Sequence, residues 1–189
     1  KVDAFIIGFN HNSGKEGSNR IHFLLGKISG KFVGLVDSSY SGTTSTSGAF
    51  TMNTSNTNSG GWGSSQMRSK VLGSASSPTS PTANTLLAAL PSDLRAVMKS
   101  CTKYTDNNGG GNTASNVSST TDYLFLLSEY EVFATHQYCN DAEPNYQAQY
   151  DYFKAGNSKV ANKHSATGTA AVWWLRSPNY YNSITSTCS

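Results

Sequence analysis

The six residues Trp173-Trp174-Leu175-Arg176-Ser177-Pro178 constrain this chain more than any other stretch. Two adjacent tryptophans, flanked by Ala170-Ala171-Val172 and Leu175, are too apolar to stand together in water. Strand side chains alternate between faces, so Trp173 and Leu175 point one way and Trp174 and Arg176 the other. Each buried Trp removes on the order of 200 Å² from solvent, and the stretch is expected to anchor the core. Pro178 has no amide donor and is expected to end the strand. From Asn179 to Ser189 the chain is polar, and no hydrophobic strand follows Pro178 to close the fold. A core strand that hands over at once to such a segment is the pattern of a scaffold presenting a surface.

The 189 residues suit one domain spanning 1–189, which would bury roughly 70% of its unfolded surface. Only 13% of them are charged, with 14 basic and 11 acidic residues leaving +3. Lys and Arg form no cluster, and a nucleic-acid partner needs basic residues gathered on one face. No apolar run reaches the ~18 residues of a membrane span. Lys1-Val2-Asp3-Ala4-Phe5 opens straight into a strand-like segment, so a mature or excised piece is expected. Cys101, Cys139 and Cys188 are odd in number and irregular in spacing, which leaves one disulfide or a set of buried or free thiols. A surface rich in Ser, Thr and Asn with few charges suits an extracellular or virion protein.

Ala4–Phe9, Ile21–Gly26 and Phe32–Val36 read as strands, with Gly30 at the positive-φ position of the hairpin between the last two. The stretch 40–58 is a long polar connection. A helix is predicted over 64–72, with Met67, Val71 and Leu72 on its stripe and Gly73 as its C-cap. A helical pair, 83–90 and 92–99, breaks at Pro91, with Leu94, Val97 and Met98 as the inward stripe of the second. Thr102–Thr105 and Asp122–Leu127 read as strands. Ser128 and Glu131 form a capping box at the start of a short helix. Tyr146, Tyr150 and Phe153 have helical spacing over 145–155, ending at Gly156. These elements make an α+β fold of short strands, two or three short helices and long loops.

Chemistry is sparse. His136 and Cys139 are a lone His-x-x-Cys pair without the second pair of a structural zinc site, so an ordinary polar loop is expected and no metal site. Asp106, Asn107 and Asn108 are read as a plain turn rather than a calcium site. No phosphate loop, hydrolase elbow or paired catalytic carboxylates is visible. The capping box accounts for Glu131, and Arg176 is expected to pair with a carboxylate. No catalytic residue and no cofactor are assigned. Tyr180 and Tyr181 sit among Asn, Ser and Thr, the mixture with which antibody loops bind: Tyr gives rigid amphipathic area and the others give adaptable hydrogen bonds.

Gly60-Gly61-Trp62, Met67-Arg68, Ala88-Ala89-Leu90-Pro91, Lys103-Tyr104-Thr105-Asp106, Thr121 to Leu126, Glu129-Tyr130-Glu131-Val132-Phe133 and the Trp-Trp-Leu-Arg-Ser-Pro motif occur in this order. Together they resemble a domain family of unknown function, common in gut Firmicutes and their phages. The resemblance implies a C-type-lectin-like fold, in which the motif is followed by an Asn-rich stretch and a closing strand. It implies kinship in fold with the variable proteins of diversity-generating retroelements. There, adenine-directed mutation turns Asn codons into Tyr, Ser, Thr, Ile and Cys, and every residue from Asn179 to Ser189 belongs to that set. Sulfatase-activating enzymes share the fold, but their reactive cysteine pair has no counterpart here.

The expectation is a non-enzymatic binding module on a phage virion or bacterial surface. It would bind a host glycan or protein receptor through Asn179, Tyr180, Tyr181, Asn182, Ser183, Ile184 and Thr185, as a homo-oligomer or beside a virion partner. The alternative is a purely structural virion or surface protein, and behind it an enzyme of the sulfatase-activating type.

Overall fold

The structure is a computed structural model and describes residues 3–34, 52–53, 57–107, 113–179 and 185–188. Among the described residues the strands pair in twos, with one parallel bridge, Val33 to Asn162, beside them. Five antiparallel two-stranded ladders, with short helices between them, make an α+β fold. β1 (Ala4–Phe9) pairs with β2 (Ile21–Leu25), with a register shift between Ile6 and Gly8. The turn between them places Asn10 and Asn12 at φ 47° and 45°, a left-handed conformation that asparagine tolerates. It carries α1 (Ser13–Glu16). The hairpin expected between Ile21–Gly26 and Phe32–Val36 is tighter than that: β3 (Lys27–Ile28) pairs with β4 (Lys31–Phe32), with Ser29 and Gly30 both at positive φ, while β2 is taken up by β1. β5 (Cys101–Asp106) pairs along its whole length with β6 (Val117–Asp122). β7 (Ala161–Asn162) pairs with β8 (Ala170–Ala171), and β9 (Trp173–Pro178) with β10 (Thr185–Cys188).

The helices are shorter than the sequence periodicity suggests. The helix predicted over 64–72 is split into α2 (Gly61–Ser64) and a π-helical turn at Met67–Leu72. The predicted pair appears as α3 (Leu86–Ala89), capped by the Thr85 hydroxyl, and α4 (Ser92–Val97). Leu94 and Val97 are exposed, the latter by 72%, so the expected inward stripe of α4 faces out. Residues 123–127 pair in no ladder, although a strand was expected there. Their carbonyls are captured instead by Arg176: the backbone amide donates to Leu127 and Nη1 to Leu126. α5 (Glu129–Phe133) starts on the Ser128–Glu131 capping box as read from the sequence. The helix predicted over 145–155 is a 3-10 turn at Glu143–Tyr146 and then α6 (Asp151–Lys154). Tyr150 breaks it, sitting in extended conformation at the N-cap of α6.

Two apolar clusters flank β9. One gathers Ile7, Leu127, Val132, Tyr150, Phe153 and Leu175, with Trp173 packed against it. The other gathers Met52, Trp62, Met67 and Leu72, with Trp174 packed against it. The alternation read from the sequence therefore holds, and β9 is the wall between the clusters. Trp173 and Trp174 themselves are half-buried, however, while Leu175, Arg176, Ser177 and Pro178 are buried. The fully buried tryptophan is Trp62, whose indole Nε1 donates to Asp122 Oδ2 at 3.0 Å. The outer face of the β1–β2 hairpin leaves Ile6, Phe9, Ile21 and Phe23 exposed. No helix among the described residues is long and apolar enough to cross a membrane.

Trp62→Ala should therefore cost about 3–5 kcal/mol, the range for emptying a packed aromatic site. Trp174→Ala should cost clearly less. Equal losses for the two in chemical denaturation would show that the second cluster is not centred on Trp62.

Candidate functional site

The geometry resolves into a buried ionic network, an open polar cleft and the connection from β9 to β10. The network is built on Glu131, the third residue of α5. Its Oε2 accepts from the Ser128 amide at 2.9 Å, closing the capping box. Both of its oxygens also receive the Arg176 guanidinium, at 2.6 and 2.8 Å. Lys103 of β5 donates to Glu131 Oε1 at 2.9 Å, to Glu16 Oε2 at 2.6 Å and to the Tyr150 hydroxyl at 2.9 Å. Tyr150 in turn lies 2.7 Å from His22 Nδ1 and stacks on His11 at a ring separation of 3.6 Å. Glu16 accepts from the Cys101 thiol. Beside them, Glu143 takes the Asp106 amide, Gln147 Nε2 and the Ser177 hydroxyl. Lys103, Glu131 and Tyr150 are each 0% exposed.

Burial by itself would raise the Glu131 carboxyl, but Arg176 and Lys103 outweigh it and hold the group well below the usual carboxylate range. Arg176 is raised in return: burial opposes its charge, and Glu131 more than restores it. Glu16 and Glu143 are pushed up by burial, against the pull of Lys103 on the first and of the Asp106 amide on the second. Burial lowers both His11 and His22 to about 4. It pushes the Cys101 thiol up to about 12 and raises Cys139 as well.

Two groups of ligand type occur here, Glu16 with His22 and Cys101, and His11 with Glu16 and Glu131. The cation those carboxylates face is the Lys103 ammonium. Its three protons already meet Glu16, Glu131 and Tyr150, and a metal ion would have to displace it. The network ties α1, β5, α5 and β9 together; it is a clamp. The sequence named Glu131 and Arg176 as structural, and both are. It gave no sign of Lys103, Glu16, His11 or His22. The one signal was the Lys103-Tyr104-Thr105 strand, whose alternation puts a lysine on the buried face.

His136 contacts Asp141 at 2.8 Å, while Cys139 is buried and donates its amide to Glu129. The pair belongs to no ligand cluster among the described residues. Of the seven residues assigned to binding, Asn179 accepts from the Asn58 side-chain amide at 2.8 Å through its carbonyl. Thr185 opens β10 opposite Pro178. Tyr180, Tyr181, Asn182, Ser183 and Ile184 lie outside the described residues.

The family profile described as "Domain of unknown function (DUF6273)" matches residues 42–189. The chain belongs to that family. No curated protein and no solved structure matches it. The DUF6273 match leaves out β1, α1 and β2, yet these supply Glu16, His11 and His22 to the clamp. The polar cleft lies wholly within the matched span. It lies between the loop carrying α2 and the β6 strand, and is lined by Ser59, Ser64, Asn107, Ser118, Ser119 and Thr120.

Two predictions follow from the clamp. A histidine held at about 4 when folded but titrating at 6.5 when unfolded is protonated only at the expense of the fold. Stability present above pH 6.5 should thus be lost as pH falls towards 4, by on the order of 1 kcal/mol per pH unit for each histidine. His11→Phe keeps the stack on Tyr150 and removes one of the two titrations, so denaturation series across this window should show a shallower slope. An unchanged slope would mean His11 is not held neutral. Second, Cys101 and Cys139 should resist iodoacetamide at neutral pH, reacting far more slowly than a free thiol does. Rapid stoichiometric labelling of either would contradict their burial.

Proposed function

We propose that the chain is a non-enzymatic binding module displayed on a phage virion or bacterial surface, and that it meets its partner through Asn179 to Thr185. The observation that carries this reading is how β9 is held. Arg176 is locked in the clamp, Ser177 bonds Glu143 and Glu129, and Pro178 faces Thr185 across the ladder. The connection from Asn179 to Ile184 therefore leaves from β9, tied by the clamp, and returns to its ladder partner β10. Rigid flanks with a Tyr-, Asn- and Ser-rich connection are how a binding surface limits the entropy lost on association. The C-type-lectin-like scaffold and the kinship with retroelement-diversified proteins, both implied by the motif resemblance, belong to this reading. The partner would be a host-surface glycan or protein receptor.

The absence of an enzyme reading rests on the chemistry of the buried groups. The clamp's carboxylates and lysine satisfy one another out of solvent, and burial keeps the two described thiols protonated. Neither supplies a nucleophile to a substrate.

The test is a double replacement, Tyr180→Ala with Tyr181→Ala. Stability should stay within about 0.5 kcal/mol, as for surface positions. Binding to intact host cells should fall sharply, since Tyr anchors dominate such interfaces. A large drop in melting temperature with binding intact per folded molecule would mean that the tyrosines pack in the core. No cell binding by the parent protein would favour the purely structural virion role instead.

A further inference from the structure

The cleft beside Asn179 has a composition that selects a ligand. It is an open, shallow cleft of about 620 Å³, a volume comparable to that of small-molecule sites. Among the described residues its lining is Ser, Thr, Asn and Gly, without one ionisable or aromatic side chain. Most small-molecule sites are predominantly apolar, and this one is the reverse. Phosphorylated and sulfated ligands need cationic or clustered amide donors, which are missing from the lining. A metal ion needs carboxylate or imidazole ligands, also missing. What the walls offer is a dense set of neutral groups that both donate and accept. Among the described residues, no hydrogen bond within the protein ties down the hydroxyls of Ser64, Ser118 and Ser119.

The cleft is also a shaped part of the fold. Gly60 and Gly61 hold φ 79° and 52°. A Cβ on Gly61 would stand 1.9 Å from the Asp106 carbonyl oxygen, so the loop presses directly on the end of β5. Below it, Trp62 is pinned to Asp122, which also receives Arg68 Nε at 2.8 Å and the Thr120 hydroxyl at 2.6 Å. One wall and the floor are thus fixed by the same aspartate. The adjoining Asn58, itself buried, donates to the Asn179 carbonyl at 2.8 Å, which places the cleft at the root of the β9–β10 connection.

We infer that this cleft is a binding site for an uncharged oligosaccharide, whose hydroxyls replace water on Ser64, Ser118, Ser119 and Asn107. The inference rests on the reading of the chain as a binding module and decides its ligand class in favour of neutral glycan.

Gly63 supplies the test. Its φ is not in the left-handed region, and a Cβ there would meet only the Thr120 methyl, at an ordinary 3.5 Å. Gly63→Leu should therefore fold normally while filling the cleft, and Ser119→Tyr fills it from the opposite wall. The labelled chain is applied to an array carrying neutral, sialylated and sulfated oligosaccharides, and affinities for the hits are measured by calorimetry. Neutral glycans should bind. Both variants should weaken them about tenfold or more at unchanged melting temperature, with Gly14→Ala, which meets nothing within 4 Å, binding like the parent. Binding confined to charged glycans, no glycan binding at all, or neutral binding unaffected by both fillers would each overturn the inference. The Tyr180→Ala, Tyr181→Ala variant in the same assay separates the two claims. Full binding by it with loss in the fillers keeps the cleft and removes the loop; the converse keeps the loop and removes the cleft.

Discussion

Glu131 holds together segments that could not hold themselves. A two-stranded ladder is at best marginally stable in water, and this fold contains little else among the described residues. The carboxylate caps the start of α5, accepts both arms of Arg176 from β9, and meets Lys103 from β5. Through Lys103 it reaches Glu16 on α1. Removing one member of such a buried set leaves an uncompensated charge and costs about 3–5 kcal/mol, which is as much as many small domains have to lose. Exchanging the whole set for matched apolar side chains need not cost anything. The clamp therefore specifies which ladders meet, and the two apolar clusters on either side of β9 supply the bulk of the burial.

The placement of charge sorts the molecule into two parts. Among the described residues, six acidic side chains, Glu16, Asp106, Asp122, Glu129, Glu131 and Glu143, are buried. Each that is described in detail serves backbone amides, a cation or an indole. The acids have thus gone largely inside, and the charges left exposed are mostly lysines, among them Lys15, Lys31, Lys70, Lys99, Lys154 and Lys163.

What could be read from the sequence followed how local its cause was. The capping box, the Ser29–Gly30 hairpin, the Gly73 terminus and the β9 alternation depend on residues a few positions apart, and each is present. Periodicity misled where tertiary contacts decide. Met67, Val71 and Leu72 have helical spacing but wind as a π turn. Tyr146, Tyr150 and Phe153 also have it, yet Tyr150 leaves the helix to reach Lys103 and His22. Leu126 and Leu127 look like the end of a strand but give their carbonyls to Arg176, about 50 residues away. Lys103 was invisible as a core residue because a lysine is almost never fully buried unless paired. Its partners lie 87 and 28 residues distant. β10 is unannounced for a related reason: Thr-Ser-Thr-Cys carries no apolar pattern, and only pairing with β9 makes it a strand.

That pairing sets how freely the chain can be rewritten. Pro178 and Thr185 stand opposite each other in the ladder, so the ends of the intervening segment are fixed whatever lies between them. Loop-closure entropy rises only logarithmically with length, by about 0.6 kcal/mol for each doubling. Changing the length of the connection between Pro178 and Thr185 thus changes its closure cost only slightly. On the proposed binding reading, selection could then act on the length of that connection for what it touches, at little cost in closing it.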